Sequence, residues 1–277
     1  MEILEQQKSV TLSNGEIIPQ VGLGVLKAQN GLEVENAVIT ALENGYRLID
    51  TAAAYRNEDG VGRAIKRSGV PREDIFLTTK VWNSDQGYEE TLAAFERSLK
   101  LLQTDYVDLY LVHWPVAGKY KETWRALEKL YKEGKAKAIG VSNFQIHHLQ
   151  DLMATAEIKP MVNQVEMHPY LQQKELQEFS KLHHIQLQAW RPIMMGEVNH
   201  LPAIRSIAEK LGKSPVQITL RWLVQKEVIV IPKSVKPNRI KDNIDIFDFE
   251  LSPGDMAAIE ALDQGKRLGP DPDNFNF

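Results

Sequence analysis

Short apolar runs alternate with longer amphipathic stretches along most of the chain. The runs fall at 20–25, 46–51, 75–81, 106–113, 137–142, 162–167, 185–190 and 228–233. Each has the length of a strand and is nearly continuous in its apolar residues, the pattern of strands buried on both faces. Between the runs, apolar residues recur at three- and four-residue spacing over 31–44, 58–68, 88–102, 121–133, 145–155, 173–183 and 214–226. The longest gap, after the seventh run, holds a further helix near 202–211. Glycines after Asn44, Ser68 and Glu133 supply helix stops. Strand and helix repeated in this way require parallel strands and right-handed crossovers, and eight such units predict a closed (β/α)8 TIM barrel. Ahead of the first unit, 10–19 reads as a β-hairpin closing the barrel bottom, with Asn14-Gly15 forming a type I′ turn.

The length of 277 residues suits one such barrel as a single domain over 1–277. Hydrophobic residues make up 43% and charged residues 25%, which excludes a disordered chain. A net charge of −4 leaves no electrostatic footprint for nucleic acid. There is no cysteine, so a disulfide framework and a thiolate nucleophile are excluded, and a reducing cytoplasm is the expected compartment. The opening Met1-Glu2-Ile3-Leu4-Glu5-Gln6-Gln7-Lys8 is mixed and acidic, unlike a signal peptide. No apolar run approaches the roughly 20 residues of a membrane span. No exposed apolar stripe stands out, and a monomer is expected.

The chemistry concentrates where the strands run out. Asp50 ends the second run, Lys80 lies near the end of the third, His113 ends the fourth, and Tyr55 follows Asp50 by five residues. Singly, each has an ordinary reading as a cap, a solvated charge or a core histidine. Together, at the C-terminal ends of barrel strands, they lie where such folds place active sites. A phenol is a poor acid at neutral pH, and a nearby ammonium lowers its pKa. Lys80 supplies that charge, Asp50 holds Lys80, and neutral His113 orients a carbonyl oxygen while Tyr55 delivers a proton. A lysine at a strand end is also a nucleophile for carbonyls, which keeps a Schiff-base lyase open. His147-His148, His183-His184 and His200 have no metal-ligand spacing and read as solvated or loop residues.

Ordered motifs carry a resemblance over essentially the whole length. They are 45–52 (GYRLIDTA) through Tyr55, Asn57-Glu58, Gly60-Val61-Gly62, 111–115 (LVHWP), 139–144 (IGVSNF), 162–166 (VNQVE) with His168-Pro169, and 231–234 (IPKS). The chain resembles the aldo-keto reductases, in particular the bacterial glyoxal- and 2,5-diketo-gluconate-reductase-like members. The resemblance implies NADPH, reduction of a small carbonyl substrate, and a tetrad of Asp50, Tyr55, Lys80 and His113. It places Ser142, Asn143 and Gln164 on the nicotinamide carboxamide and Trp190 against the nicotinamide face. It assigns Lys233, Ser234, Arg239 and Asn243 to the adenosine 2′-phosphate and adenine, and Asp242 to adenine. It extends the cofactor site to Gly22, Val25, Asp50, Ile193 and Val235. Arginine and lysine beside a serine hydroxyl suit a phosphate on physical grounds too. Trp82, Asn83, His113 and Trp114 would line the substrate pocket, with Val25, Leu26 and Phe277.

The chain departs from the family pattern after the seventh run, where Trp190-Arg191-Pro192-Ile193-Met194-Met195-Gly196 replaces a segment of small residues. Arg191 either pairs with the cofactor pyrophosphate or crowds the strand end. Met194 and Met195 make a pliable loop or fill core. The short 196–202 segment and short tail predict a roomy pocket. A binding protein that holds NADPH with little turnover is the third reading, and the complete tetrad argues against it.

Overall fold

A parallel strand buried on both faces has no polar side to present, so the apolar runs become the inner wall of the molecule. The computed structural model describes residues 8–277. The opening segment 1–7 lies outside the described residues. The chain starts as a hairpin of β1 (Ser9–Thr11) and β2 (Ile17–Pro19). There follow β3 (Leu23–Gly24), α1 (Leu32–Glu43), β4 (Leu48–Asp50), α2 (Glu58–Ser68), β5 (Phe76–Val81) and α3 (Tyr88–Leu102). Then come β6 (Val107–Val112), α4 (Tyr120–Lys132), β7 (Ala136–Ser142), α5 (Ile146–Met153), β8 (Val162–Glu166), α6 (Lys174–Leu182) and β9 (Gln186–Trp190). The last elements are α7 (Pro202–Leu211), α8 (Pro215–Gln225), β10 (Ile229–Val230), α9 (Pro237–Ile244) and α10 (Pro253–Glu260).

From β3 to β10 each strand pairs in parallel with the next. The two edges meet through parallel bridges from Val21 to Val230 and from Gly24 to Lys233, which close the barrel. All eight runs read from the sequence become these strands or their flanks. Every residue of β5 and β6 is buried, as continuous apolar character requires. Helix stops occur at Gly45, Gly69 and Gly134, each with positive φ. Helix α8 starts at a capping box in which Ser214 and Gln217 satisfy each other's backbone N–H groups. Helix α10 has no counterpart in the apolar pattern, because only Asp255 and Ile259 of its 8 residues are buried.

The hairpin is present, but its turn differs from the type I′ expectation. That turn needs positive φ at both central residues, and only Gly15 has it, at 92°. Leu12 N–H donates to Glu16 O at 2.8 Å and Gly15 N–H to Leu12 O at 2.9 Å, enclosing a three-residue loop. Asn14 uses its side chain instead: Oδ1 accepts Glu16 N–H at 3.2 Å and Nδ2 donates to Lys137 O at 2.9 Å. The second bond ties the hairpin to the start of β7, at the end of the barrel away from Asp50 and Lys80. There Leu12 and Ile18 are buried and plug the bottom.

Candidate active site

The strand ends bring the titratable residues together. Lys80, on β5, is fully buried. Its Nζ donates to Asp50 Oδ1 at 2.6 Å, to Thr51 O at 2.9 Å and to Tyr55 Oη at 3.3 Å. All three ammonium hydrogens are therefore engaged. Tyr55 reaches the lysine because a single 3-10 turn, Ala53–Tyr55, follows β4 and folds the chain back. Asn57, buried beyond that turn, accepts Thr51 Oγ1–H and donates to Val25 O and Ala28 O. It locks the β3 and β4 loops to each other. His113 follows β6, with its ring 5.8 Å from Tyr55 and 5.1 Å from Trp82, both edge-on.

Burial and neighbours set the charge states. Burial pulls the Lys80 ammonium down, but Asp50 and Tyr55 more than compensate and hold it protonated. Burial pushes the Asp50 carboxyl up, opposed by the Lys80 charge and by hydrogen bonds from Lys80 and Gln164. His113 lies well below the ordinary histidine value, first through burial and then through Lys80, so its ring is neutral. Tyr55 corrects the expectation of a lowered phenol. Burial outweighs the Lys80 ammonium, Asp50 adds to the rise, and the phenol stays protonated above its ordinary range. Lys80 acts here by offsetting the burial cost of the phenolate.

These residues lie at the base of a cleft of ≈ 1390 Å³ that runs across the barrel mouth. On one side Ser142, Asn143, Gln164 and Trp190 form a chain of bonds. Gln164 Nε2 donates to Asp50 Oδ2 at 2.7 Å and to Gln188 Oε1 at 2.8 Å, leaving its own Oε1 toward the cleft as an acceptor. Ser142 Oγ–H donates to Gln164 O at 2.8 Å. Asn143, at φ 64°, donates to His113 O and accepts Trp190 Nε1–H at 2.8 Å. At the far end Lys233, Ser234, Val235, Arg239 and Asn243 line the cleft. Lys236 lines it as well, whereas Lys241 does not. Among the described residues, Lys233, Lys236 and Arg239 carry no ion pair, and these three cations share that end of the cleft with the Asp242 carboxylate. That donor set fits a phosphate.

Not every expected residue reaches the cleft. Gly22 packs inside the barrel, where a β-carbon would stand 2.5 Å from Leu48, and Val25 is buried beneath Asp50 O. Gly24 lines the cleft instead, with room for no β-carbon beside Ile231 O at 2.8 Å. Ile193 and Arg191 line it. Arg191 Nη1 also donates to Leu268 O at 2.5 Å, a partner in the tail that the sequence did not suggest. Of the two methionines, Met194 is core and Met195 is exposed at the cleft wall. Trp82, Trp114 and Leu26 line the main cleft, while Asn83 and Phe277 line an adjoining cavity of ≈ 520 Å³. The tail packs there: Phe277 stacks on Trp82 at 5.9 Å, Phe275 tilts on Trp114 at 5.2 Å, and Asn83 Nδ2 donates to Phe277 O. The sequence reading placed none of Asn57, Glu166 and Gly269 in the site, because their roles are hydrogen bonds and close approach across the fold. His147 and His148, read as solvated, pair with Asp273 of the tail at 2.9 and 3.4 Å.

A closed parallel barrel with a buried Asp–Lys–Tyr relay and a neutral histidine at its mouth defines a carbonyl-processing enzyme. Residues 20–264 match the model of the Aldo/keto reductase family. The chain is 60% identical over 269 residues to glyoxal reductase from Bacillus subtilis (strain 168), covering 97% of this chain and 98% of that one. It is 50% identical over 270 residues to a methylglyoxal reductase from Escherichia coli (strain K12), covering 96% and 97%. Its fold matches the crystal structure of a Bombyx mori aldo-keto reductase in complex with NADP, with TM-score 0.91 and 36% identity over 97% of this chain and 96% of that one. The chain belongs to the aldo/keto reductase family and is an oxidoreductase acting on carbonyl groups.

Proposed function

We propose that the protein reduces small aldehydes and ketones, 2-oxoaldehydes foremost, to alcohols at the expense of NADPH, with Tyr55 as the general acid. The observation that carries this reading is Lys80 Nζ bridging Asp50 and the Tyr55 hydroxyl at the base of the cleft. Lys233, Ser234, Arg239 and Asn243 would hold the adenosine 2′-phosphate end, and Ser142, Asn143, Gln164 and Trp190 the nicotinamide end. Bound NADPH supplies the hydride that adds to the carbonyl carbon. As the carbonyl π pair moves onto oxygen, that oxygen takes the proton from Tyr55 Oη, and Lys80 stabilises the phenolate left behind. Neutral His113 donates to the same oxygen and fixes its position. Trp82 and Trp114 give the carbonyl's substituents an apolar wall. The glyoxal and methylglyoxal reductases among its relatives support 2-oxoaldehydes as the substrate class.

A lyase working through Lys80 finds no support, since a protonated amine with all its hydrogens bonded has no lone pair to offer. We place the enzyme in the cytoplasm as a monomer. The cysteine-free composition suits a reducing compartment. The exposed large apolar residues Ile17, Leu32, Leu101 and Leu182 stand on separate elements, and Leu26, Met195 and Phe277 border the cleft. No helix among the described residues is long and apolar enough to cross a membrane. The test is loss of reduced-nicotinamide absorbance with methylglyoxal, beside NADPH titration of the protein. Tyr55→Phe is expected to lower kcat by about 10²–10⁴-fold while leaving the NADPH Kd unchanged. Full turnover in the variant would remove Tyr55 from the proton step.

A further inference from the structure

Trp190 is held at both ends. Its Nε1–H donates to Asn143 Oδ1 at 2.8 Å. The opposite edge of the indole, Cη2 and Cζ3, lies so near Gly269 that a β-carbon there would stand 2.4 and 3.0 Å away. Gly269 has no positive φ, so its missing side chain serves this approach and no turn. The tail at this point is itself gripped. Glu166 ends β8 and is the register neighbour of Trp190. Its carboxylate accepts Leu268 N–H at 2.6 Å and Gly269 N–H at 3.0 Å. It also faces His168 Nε2 at 2.9 Å, which therefore carries the proton and donates. Arg191 takes the Leu268 carbonyl from the other side, and its guanidinium stands 5.5 Å from the Trp190 ring centre.

We infer that Leu268–Gly269, clamped by Glu166 and Arg191, is the backstop of Trp190, and that Gly269 is a positioning residue for hydride transfer. It sets how far the indole reaches into the cleft, and hence where the nicotinamide that packs on the indole comes to rest. The inference rests on the reading of the cleft as an NADPH site. Ordinary carbon–carbon contact is about 3.5–4.0 Å, so a β-carbon at Gly269 displaces either the ring or the tail by about 1 Å. The tail is held by two charge-assisted amide bonds and by Arg191, whereas the ring edge is held by contact alone. The ring is the part that moves, and a misplacement of this size near the reacting atoms is costly.

The test is a double-mutant cycle with Gly269→Ala, Trp190→Phe and the pair. Phenylalanine lacks the outer ring edge that Gly269 faces, so it removes the contact with the ring and leaves only the looser one, 3.1 Å from Glu166 Oε2. The readouts are NADPH Kd by fluorescence titration and the single-turnover rate with methylglyoxal, with thermal melting as a fold control. Gly269→Ala alone is expected to weaken NADPH binding about tenfold and to slow hydride transfer. In the Trp190→Phe background the same change is expected to move the Kd by less than about twofold. Equal losses in both backgrounds, or no loss in either, would overturn the inference while leaving the cofactor reading intact. Failure of the wild type to bind NADPH would overturn that reading, and this inference with it. If Gly269→Ala does not fold, Glu166→Gln serves in its place, because it replaces the carboxylate that holds Leu268 N–H and Gly269 N–H with a neutral amide and weakens both bonds. Its loss of NADPH affinity is again expected to depend on Trp190, and a loss indifferent to Trp190 would overturn the proposal.

Discussion

His113 shows how one buried ring ties the proposed chemistry to stability. Burial and Lys80 keep its pKa well below the ordinary histidine value of about 6.5, so the native ring stays neutral where the unfolded one gains a proton. Below about 6.5 the unfolded state therefore binds more protons, and stability falls as pH falls toward the folded value. We expect the melting temperature to drop between neutral and mildly acid pH, and His113→Gln to lose part of that drop. An identical pH dependence in the variant would place the acid lability elsewhere. The location of this ring was legible, because His113 ends an apolar run and so do Asp50 and, one residue short, Lys80. The direction of the Tyr55 shift was not. It depends on how much water the 3-10 turn and the surrounding loops exclude, and no spacing along the chain encodes that.

Elements were legible where their burial pattern is strong. The strands are buried on both faces and the long helices on one, so periodicity marks them. Helix α10 turns only Asp255 and Ile259 into the interior, and the hairpin turn is decided by Asn14 reaching Lys137 across the barrel floor. Neither leaves a local trace. Packing between elements makes its own demands. Helix α2 meets the end of α3 at Gly62, where a β-carbon would stand 2.6 Å from Leu102 O and 2.7 Å from its carbonyl carbon. Backbone cannot yield as a flexible side chain would. Gly62→Ala is expected to cost about 1–3 kcal/mol of stability. A lower denaturant midpoint with an unchanged slope would show it, and an unshifted midpoint would mean that α2 moves aside freely.

At the scale of the whole molecule the tail is fastened at two places ahead of its aromatic end. Leu268–Gly269 is gripped beneath Trp190, and Asp273 is held by Gln145 Nε2 at 2.8 Å and by the two histidines at the start of α5. His148 Nδ1 accepts Gln145 N–H, so its Nε2 carries the proton and points to the carboxylate. That arrangement makes the cluster a latch. The aromatic cover of Phe275 and Phe277 follows the second fastening, whereas Leu268–Gly269 precedes it. Asp273→Asn is therefore expected to raise KM severalfold for an aromatic 2-oxoaldehyde while leaving the NADPH Kd as it is. A shift in both constants would show that the tail moves as one body. The barrel itself is closed at one seam, where β3 meets the chain beside β10 through two isolated bridges. Every other pair of neighbours is joined within one strand–helix–strand unit, but this pair joins the two extremities of the barrel. Of all the neighbouring pairs it closes the longest loop and carries the largest closure entropy. Gly24 and Lys233 face each other across it and both line the cleft. A dinucleotide bound as proposed would lie over that join as thread as well as reagent, and by mass action would tighten the enzyme's grip on its own first and last strands.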